Sequence, residues 1–347
     1  MQTNPLHRVK TTPQEFVQTD LSIGLVYSAS TNVTSIWDLD KEGMSYTRFI
    51  PKTAYALIES TRWVKATHKE WIISIGSGAR DYYEGNTDAA QLWIDLHSNH
   101  ITKSAYNPQV ANTKISTNWI GIGRRLPIST GNIKGNLTVT LRRIEIDSYR
   151  SAVLTGSVTG NNFTGMMKTI SSDALPNRAN GAGWALDAEL LFNISNQWMG
   201  YAAAEGLIGQ LSWQGLQTED AYITSPGVFT DPDGFLHQSG GISGMTWTTN
   251  LKARLKPRYR LDLMDVSSPY TLLSISHYGG SRLLASIGLA LPQDEGWLSI
   301  IRCYPAQKRL EISAVGKGWE LVMSGDDWLT ASPKHGEVRL VLSPIQF

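Results

Sequence analysis

The chain has 347 residues, with 31 Lys+Arg against 30 Asp+Glu, one cysteine, 12 Trp, 31 Gly, 41% hydrophobic and 18% charged residues. A charged fraction below the roughly 25% of ordinary soluble domains, with almost no net charge, excludes a disordered chain and gives no global field for nucleic acid. Cys303 alone makes no intrachain disulfide and no cysteine-rich zinc site, and no run of about 18 apolar residues is present to span a membrane as a helix.

The N-terminal stretch MQTNPLHRVKTTPQEF lacks the apolar core of a signal peptide, so the protein is either not exported or numbered from after a removed signal. Residues 1–20 are polar and unpatterned and predict a tail or a segment folded into a lumen. Residues 21–347 predict one domain. Strand-like stretches follow at Leu21 to Tyr27, Ala54 to Ile58, Trp71 to Ile75, Ala90 to Leu96, Ile115 to Gly123 and Leu137 to Ile146. In the last of these, the change of phase between Leu141 and Ile144 predicts a β-bulge. Two irregular stretches, Gly160 to Gly181 and Gln217 to Gly241, predict long connections, and Asp231-Pro232-Asp233-Gly234 within the second predicts a turn rather than a calcium loop.

Strict alternation dominates the rest. Trp184, Leu186, Ala188, Leu190 and Phe192 share one face against Asp187 and Glu189. Met245, Trp247, Leu251, Ala253 and Leu255 alternate with Lys252 and Arg254. Tyr259, Leu261 and Leu263 alternate with Arg258, Arg260 and Asp262, and Leu283, Ala285, Ile287, Leu289 and Leu291 alternate with Arg282, Ser286 and Gly288. Turn signals recur near Lys256-Pro257, Pro269, Gly279-Gly280, Pro292, Pro305 and Gly316, a step that fits strands of about 9–11 residues joined by tight turns. The expected fold is all-β: an antiparallel up-and-down transmembrane β-barrel of about 12 strands, within a range of 10–14.

Trp184, Trp198, Trp297, Trp319 and Trp328 stand beside turns, where a membrane barrel places interfacial aromatics. The terminal strand changes phase, since Val338, Leu340 and Leu342 share one face while Ile345 and Phe347 take the other; Pro344 must then sit at a bulge or an edge.

If the apolar rows face lipid, Arg142, Asp187, Glu189, Lys252, Arg254, Arg258, Arg260, Asp262, Arg282, Arg302, Arg309, Glu311, Glu320 and Arg339 face the lumen. They would either line a water-filled pore with a slight preference for anions or pair into a network that rigidifies a closed barrel. No Walker A loop, HExxH or GxSxG is present. Ser276-His277, Asp326-Asp327 and the pair His97 and His100 are fragments of chemistry without a motif around them, so neither an enzyme, a metal site nor a cofactor is expected.

The segment GAGWALDAELLFNISNQWMGYAAAEGLIGQLSW resembles a hairpin of one group of outer-membrane barrels: the TraF-like conjugal-transfer barrels, the PorV-type proteins and the long-chain fatty-acid transporter superfamily. About 30 residues match. The resemblance implies a bacterial outer-membrane barrel, with an N-terminal hatch in the fatty-acid transporters. The chain departs from them at Asn4-Pro5-Leu6, where the Asn-Pro-Ala hatch motif is not met, and fatty-acid transport is not implied. The expectation is therefore a barrel in the bacterial outer membrane, in contact with its lipid and acting as a pore or a surface scaffold. An envelope protein complex or a small solute is its partner, and nucleic acid is not. The rival is a soluble or cell-surface β-sandwich or β-solenoid that binds carbohydrate through exposed aromatics.

Overall fold

The computed structural model describes residues 19–32, 52–98 and 101–346, apart from 132, 161, 174–178, 196, 231–235, 266, 268–269, 279–282, 293–296, 317 and 327–333. The N-terminal segment expected as a tail therefore lies almost wholly outside the described residues.

In chain order the elements are β1 (Thr19–Thr31), β2 (Thr53–His68), β3 (Trp71–Asn86), α1 (Thr87–Ser98), β4 (Ala105–Tyr106), β5 (Gln109–Thr130) and β6 (Ile133–Thr159). Then come β7 (Asn162–Ser171), β8 (Asn180–Asn193), β9 (Trp198–Thr230), β10 (Leu236–Arg254), β11 (Arg258–Asp265) and β12 (Tyr270–Tyr278). The last five are β13 (Leu283–Pro292), β14 (Leu298–Tyr304), β15 (Arg309–Gly316), β16 (Trp319–Asp326) and β17 (His335–Gln346).

Neighbours in sequence pair antiparallel, and β17 pairs back onto β1, so the sheet closes on itself. The barrel has 14 strands, more than the twelve expected. Closure removes the sandwich and solenoid alternatives. Two of the wall positions are composite. β7 and β8 run in one direction along β6, and β10 and β11 do the same along β9. The stretches at 160–181 and 217–241, expected as long connections, are thus mostly strand. Their Gly, Ser and Thr content hides the alternation, and at 241–246 the strand is exposed on both faces.

One stretch expected as a strand is a helix. Asn86 Oδ1 accepts from the Ala89 N–H at 2.9 Å and caps α1, whose Ala89, Ala90 and Ile94 are buried. The expected bulge between Leu141 and Ile144 falls instead at Asp147, where Ser116 pairs with Ser148 and Thr117 with Ile146. Leu141 faces out, and Ile144 and Ile146 face in. Of the bulge or edge expected at Pro344, the bulge is present: Leu21 pairs with Ile345 and Ile23 with Leu342, leaving one more residue on β17 than on β1.

The wall is uneven. β12 to β16 have 7–10 residues; at ~3.3 Å per residue and ~40° tilt they span roughly 18–25 Å, about the height of an outer-membrane apolar band. β6 has 27 residues and β9 has 33; by the same arithmetic β9 reaches on the order of 80 Å, so this side rises far above the band. β1 begins and β17 ends at the end that carries the turns at 69–70, 194–197 and 317–318. The opposite, loop end carries α1.

Outward rows are apolar and left exposed: Ile23 and Leu25 on β1, Ile73 and Ile75 on β3, Ile120 and Ile122 on β5, Ile287 and Leu289 on β13, Leu340 and Leu342 on β17. Each such side chain in water forgoes about 1.5–3 kcal/mol of burial, a cost that lipid removes. Among the described residues no helix is long and apolar enough to cross a membrane, and the strands form the crossing band.

Candidate functional site: an ion-paired lumen

Inward positions on β11 to β17 are charged, and alternation along each short strand puts them there. Arg302 on β14 and Glu311 on β15 are directly opposite in register and form an ion pair, with side chains 3% and 4% exposed. Tyr304 Oη donates to Glu311 at 2.9 Å. Arg309 reaches Glu337 at 3.0 Å and Glu311 at 4.0 Å, while Arg339 reaches Glu337 at 2.7 Å and Glu320 at 4.0 Å. Arg260 pairs with Asp262 at 2.7 Å, and Ser274 Oγ donates to Asp262 at 2.5 Å. Four arginines (260, 302, 309, 339) meet four carboxylates (262, 311, 320, 337), so this part of the lumen is balanced in formal charge. The void among them is ≈ 20 Å³, about the room one water needs. Toward the turn end, Met199, Met264, Leu272, Ala290, Ile300 and Val315 form an apolar floor.

The other half of the interior holds an apolar cluster of Trp63, Trp119, Ile144, Ile146, Leu211, Trp213 and Leu216, with Leu251, Ala253 and Leu255 packed on it, beside a few ion pairs. Glycine makes room here. A Cβ on Gly24 would overlap the Trp63 ring and one on Gly76 the Trp119 ring, so these indoles lie flat against the neighbouring strand. This aromatic interior was not foreseen from sequence; the signal was Gly24 and Gly76 in register with the two tryptophans.

Ion pairs among the described residues also cross the lumen. Glu59 on β2 accepts from Arg258 Nη2 on β11 at 2.7 Å and lies 3.3 Å from Arg80 Nε. Between β2 and β11 stand β3, β5, β6, β8 and β9, so nearly opposite walls are joined. Lys65 of β2 and Glu189 of β8 are 3.8 Å apart.

Of the residues expected in the lumen, Arg142, Asp187, Glu189, Arg258, Arg260, Asp262 and Arg302 lie on the inner face. Arg142 Nε is 2.5 Å from Asp187, and Asp187 Oδ1 also accepts the Gly206 N–H at 2.7 Å. That bond fills a bulge in β9 at 205–207, with Gly206 at φ 61. β9 is one strand through this point, and the bulge resets its facing. Lys252 and Arg254 are corrections: both are exposed on the outer face, because Leu251, Ala253 and Leu255 turn inward onto the apolar half. Arg282 lies outside the described residues.

Trp198, Trp297 and Trp319 stand at the turn end, as does Trp71, whose ring lies 5.6 Å from the Arg124 guanidinium. Trp184 is exposed on β8, about nine residues nearer the loop end. Trp328 is outside the described residues. Ser276 lines the polar lumen void while the adjacent His277 borders the outer wall, so the two do not meet at one site. Asp326 accepts from the N–H groups of Lys334 and His335 at 2.7 Å, closing a loop, and Asp327 lies outside the described residues. His97 falls within α1, and His100 is not among the described residues. Among the described residues no three His, Cys, Asp or Glu side chains are grouped to hold a metal.

A closed, even-stranded antiparallel barrel with an apolar exterior and a polar, ion-paired interior defines an outer-membrane-type β-barrel. No family model matches the chain, and no curated protein does. Among solved structures it is similar to the P. putida toluene transporter TodX, with a TM-score of 0.47, 10% identity, and coverage of 99% of this chain and 92% of that one. It is also similar to the translocator domain of the autotransporter NalP from Neisseria meningitidis, with a TM-score of 0.34, 12% identity, and coverage of 94% and 88%. A Pseudomonas aeruginosa FadL homologue has a TM-score of 0.17 at 8% identity, with coverage of 94% and 90%.

Proposed function

We propose that the chain is a bacterial outer-membrane barrel whose lumen is shut in this form and which serves as a surface scaffold, its tall wall standing outside the bilayer. The observation that carries this reading is the charge-balanced network of β11 to β17, which leaves a void of only ≈ 20 Å³ between buried ion pairs. A conducting pore would hydrate those groups instead. The height of β6 and β9 above the band supports the scaffold role, and the resemblance of residues 181–213 to the TraF-like and PorV-type hairpin agrees with it.

Planar-bilayer recording tests this. The wild-type chain is expected to insert and stay electrically silent, with heat-modifiable migration on a gel as the control for folding. Steady open-channel current from the wild type would overturn it. A gated channel is the second reading, favoured by the Arg258–Glu59–Arg80 link, whose side chains are 21–39% exposed and therefore cheap to separate. Current in Glu59→Ala, with silence in the wild type, would select that reading.

A further inference from the structure

The outer wall has an apolar groove of ≈ 450 Å³ at the level of β8, β9, β11 and β12. Its floor is made by Ala188, Ala202 and Ala204, whose small side chains leave a depression between taller neighbours. Leu283 walls one side. Tyr259 and His277, with ring centroids 6.5 Å apart, stand beside it. The groove opens into the face that the apolar rows give to lipid, so the phase that reaches it first is the bilayer.

Above it, toward the loop end, the same composite strand carries Lys252, Arg254 and Lys256, all exposed. Lys256 is three residues from Tyr259 and Arg254 five, about 10 and 16 Å along the strand. Register places Arg254 opposite Gln210, Gln210 opposite Trp184 and Trp184 opposite Arg143, so a row of exposed side chains on four adjacent strands begins and ends in a guanidinium. These cations contrast with those of the lumen: among the described residues none of Arg143, Lys252, Arg254 and Lys256 has a carboxylate partner, whereas the inward arginines of the network are all paired. Trp184 in their midst is the kind of side chain that sits at headgroup depth.

We infer that this surface is a binding site for a net-anionic phospholipid of the surrounding leaflet, one acyl chain lying in the alanine-floored groove and the anionic headgroup held by Lys252, Arg254 and Lys256. The inference rests on the membrane-spanning reading but not on whether the lumen conducts. Cations with no carboxylate partner among the described residues, beside an apolar trough, match a ligand that is anionic at one end and hydrocarbon at the other. Guanidinium and ammonium groups supply charge-assisted hydrogen bonds to phosphate oxygens, and a row of cations at headgroup depth adds about 1 kcal/mol each toward an anionic lipid.

The test uses the detergent-solubilised full chain, titrated with dioleoyl phosphatidylglycerol or dioleoyl phosphatidylcholine and read by native mass spectrometry. The expected result is one phosphatidylglycerol bound at least about tenfold tighter than phosphatidylcholine. Replacing all three cations (K252Q, R254Q, K256Q) is expected to bring phosphatidylglycerol down to the phosphatidylcholine level. Filling the groove by Ala204→Phe, or by the milder Ala202→Leu, is expected to weaken both lipids. Equal binding of the two lipids by the wild type would overturn the inference, as would a triple variant that keeps the preference or folded groove variants that bind as before. These outcomes are independent of bilayer current, so a conducting wild type would sink the scaffold reading and leave this site standing.

Discussion

Replacing Arg302 by Met separates a sealed ion-paired lumen from a hydrated one. Arg302 and Glu311 are 3% and 4% exposed and face each other across one strand gap, so little solvent screening applies. Removing one member of such a pair leaves the other charge buried without its main partner, a loss of about 3–5 kcal/mol. Glu311 would keep Tyr304 Oη at 2.9 Å and Arg309 at 4.0 Å, which points to the lower end, about 3 kcal/mol. The double variant Arg302→Met with Glu311→Leu removes both charges and fills their space with hydrocarbon, and is expected to recover about 2 kcal/mol of that loss relative to the single variant. The assay is urea unfolding of the barrel in phospholipid vesicles, followed by tryptophan fluorescence and by heat-modifiable migration. A single variant within about 0.5 kcal/mol of wild type, or a double variant whose loss is the sum of the two singles, would refute the reasoning, because solvated charges couple weakly.

Asp187→Ala is expected to lower stability by about 2–3 kcal/mol, since it removes both the Arg142 partner and the acceptor for the Gly206 N–H in the β9 bulge; the same urea titration checks it, and Asp187→Asn should recover part by keeping an acceptor. Asp95 lies outside the membrane band, in α1. Burial works against its ionisation, but hydrogen bonds from the Thr102 side chain, Tyr106, the Thr102 backbone and Gln91 outweigh it and hold its pKa below the ordinary carboxylate value. A depressed folded pKa means that the stabilisation is whole above the unfolded value of about 4 and is lost as pH falls through the folded one. Hydrogen exchange at the Thr102 amide should therefore be protected evenly from neutral pH down to that range and open below it, whereas Asp95→Asn should be less protected throughout and show no acid limb.

The sequence by itself determined that the chain is a run of two-faced strands in an environment other than water. Period-two alternation at Leu283 to Leu291 or Tyr259 to Leu263 forces one apolar and one polar or small face whatever the fold. It also required a bulge or an edge at Pro344, because a proline that shifts phase must leave the ladder. What alternation cannot carry is which face is inside. Outside the barrel is lipid, which rewards apolar side chains on every strand; inside, β11 to β17 carry an ion-paired network while the other side packs Trp63, Trp119 and Trp213 beside a few ion pairs. Lys252 and Arg254 show the consequence: the pattern is the same as on β11, but the neighbouring interior is apolar, so leucine and alanine turn inward and the cations turn out. Partners four or six wall positions away, such as Lys65 with Glu189 and Glu59 with Arg258, were invisible for the same reason, since a residue's place around the ring exists only once the sheet has closed. The strand total and the height of β6 and β9 also waited on closure, because their Gly, Ser and Thr positions read as loop until paired backbone hydrogen bonds supply the order that their side chains do not.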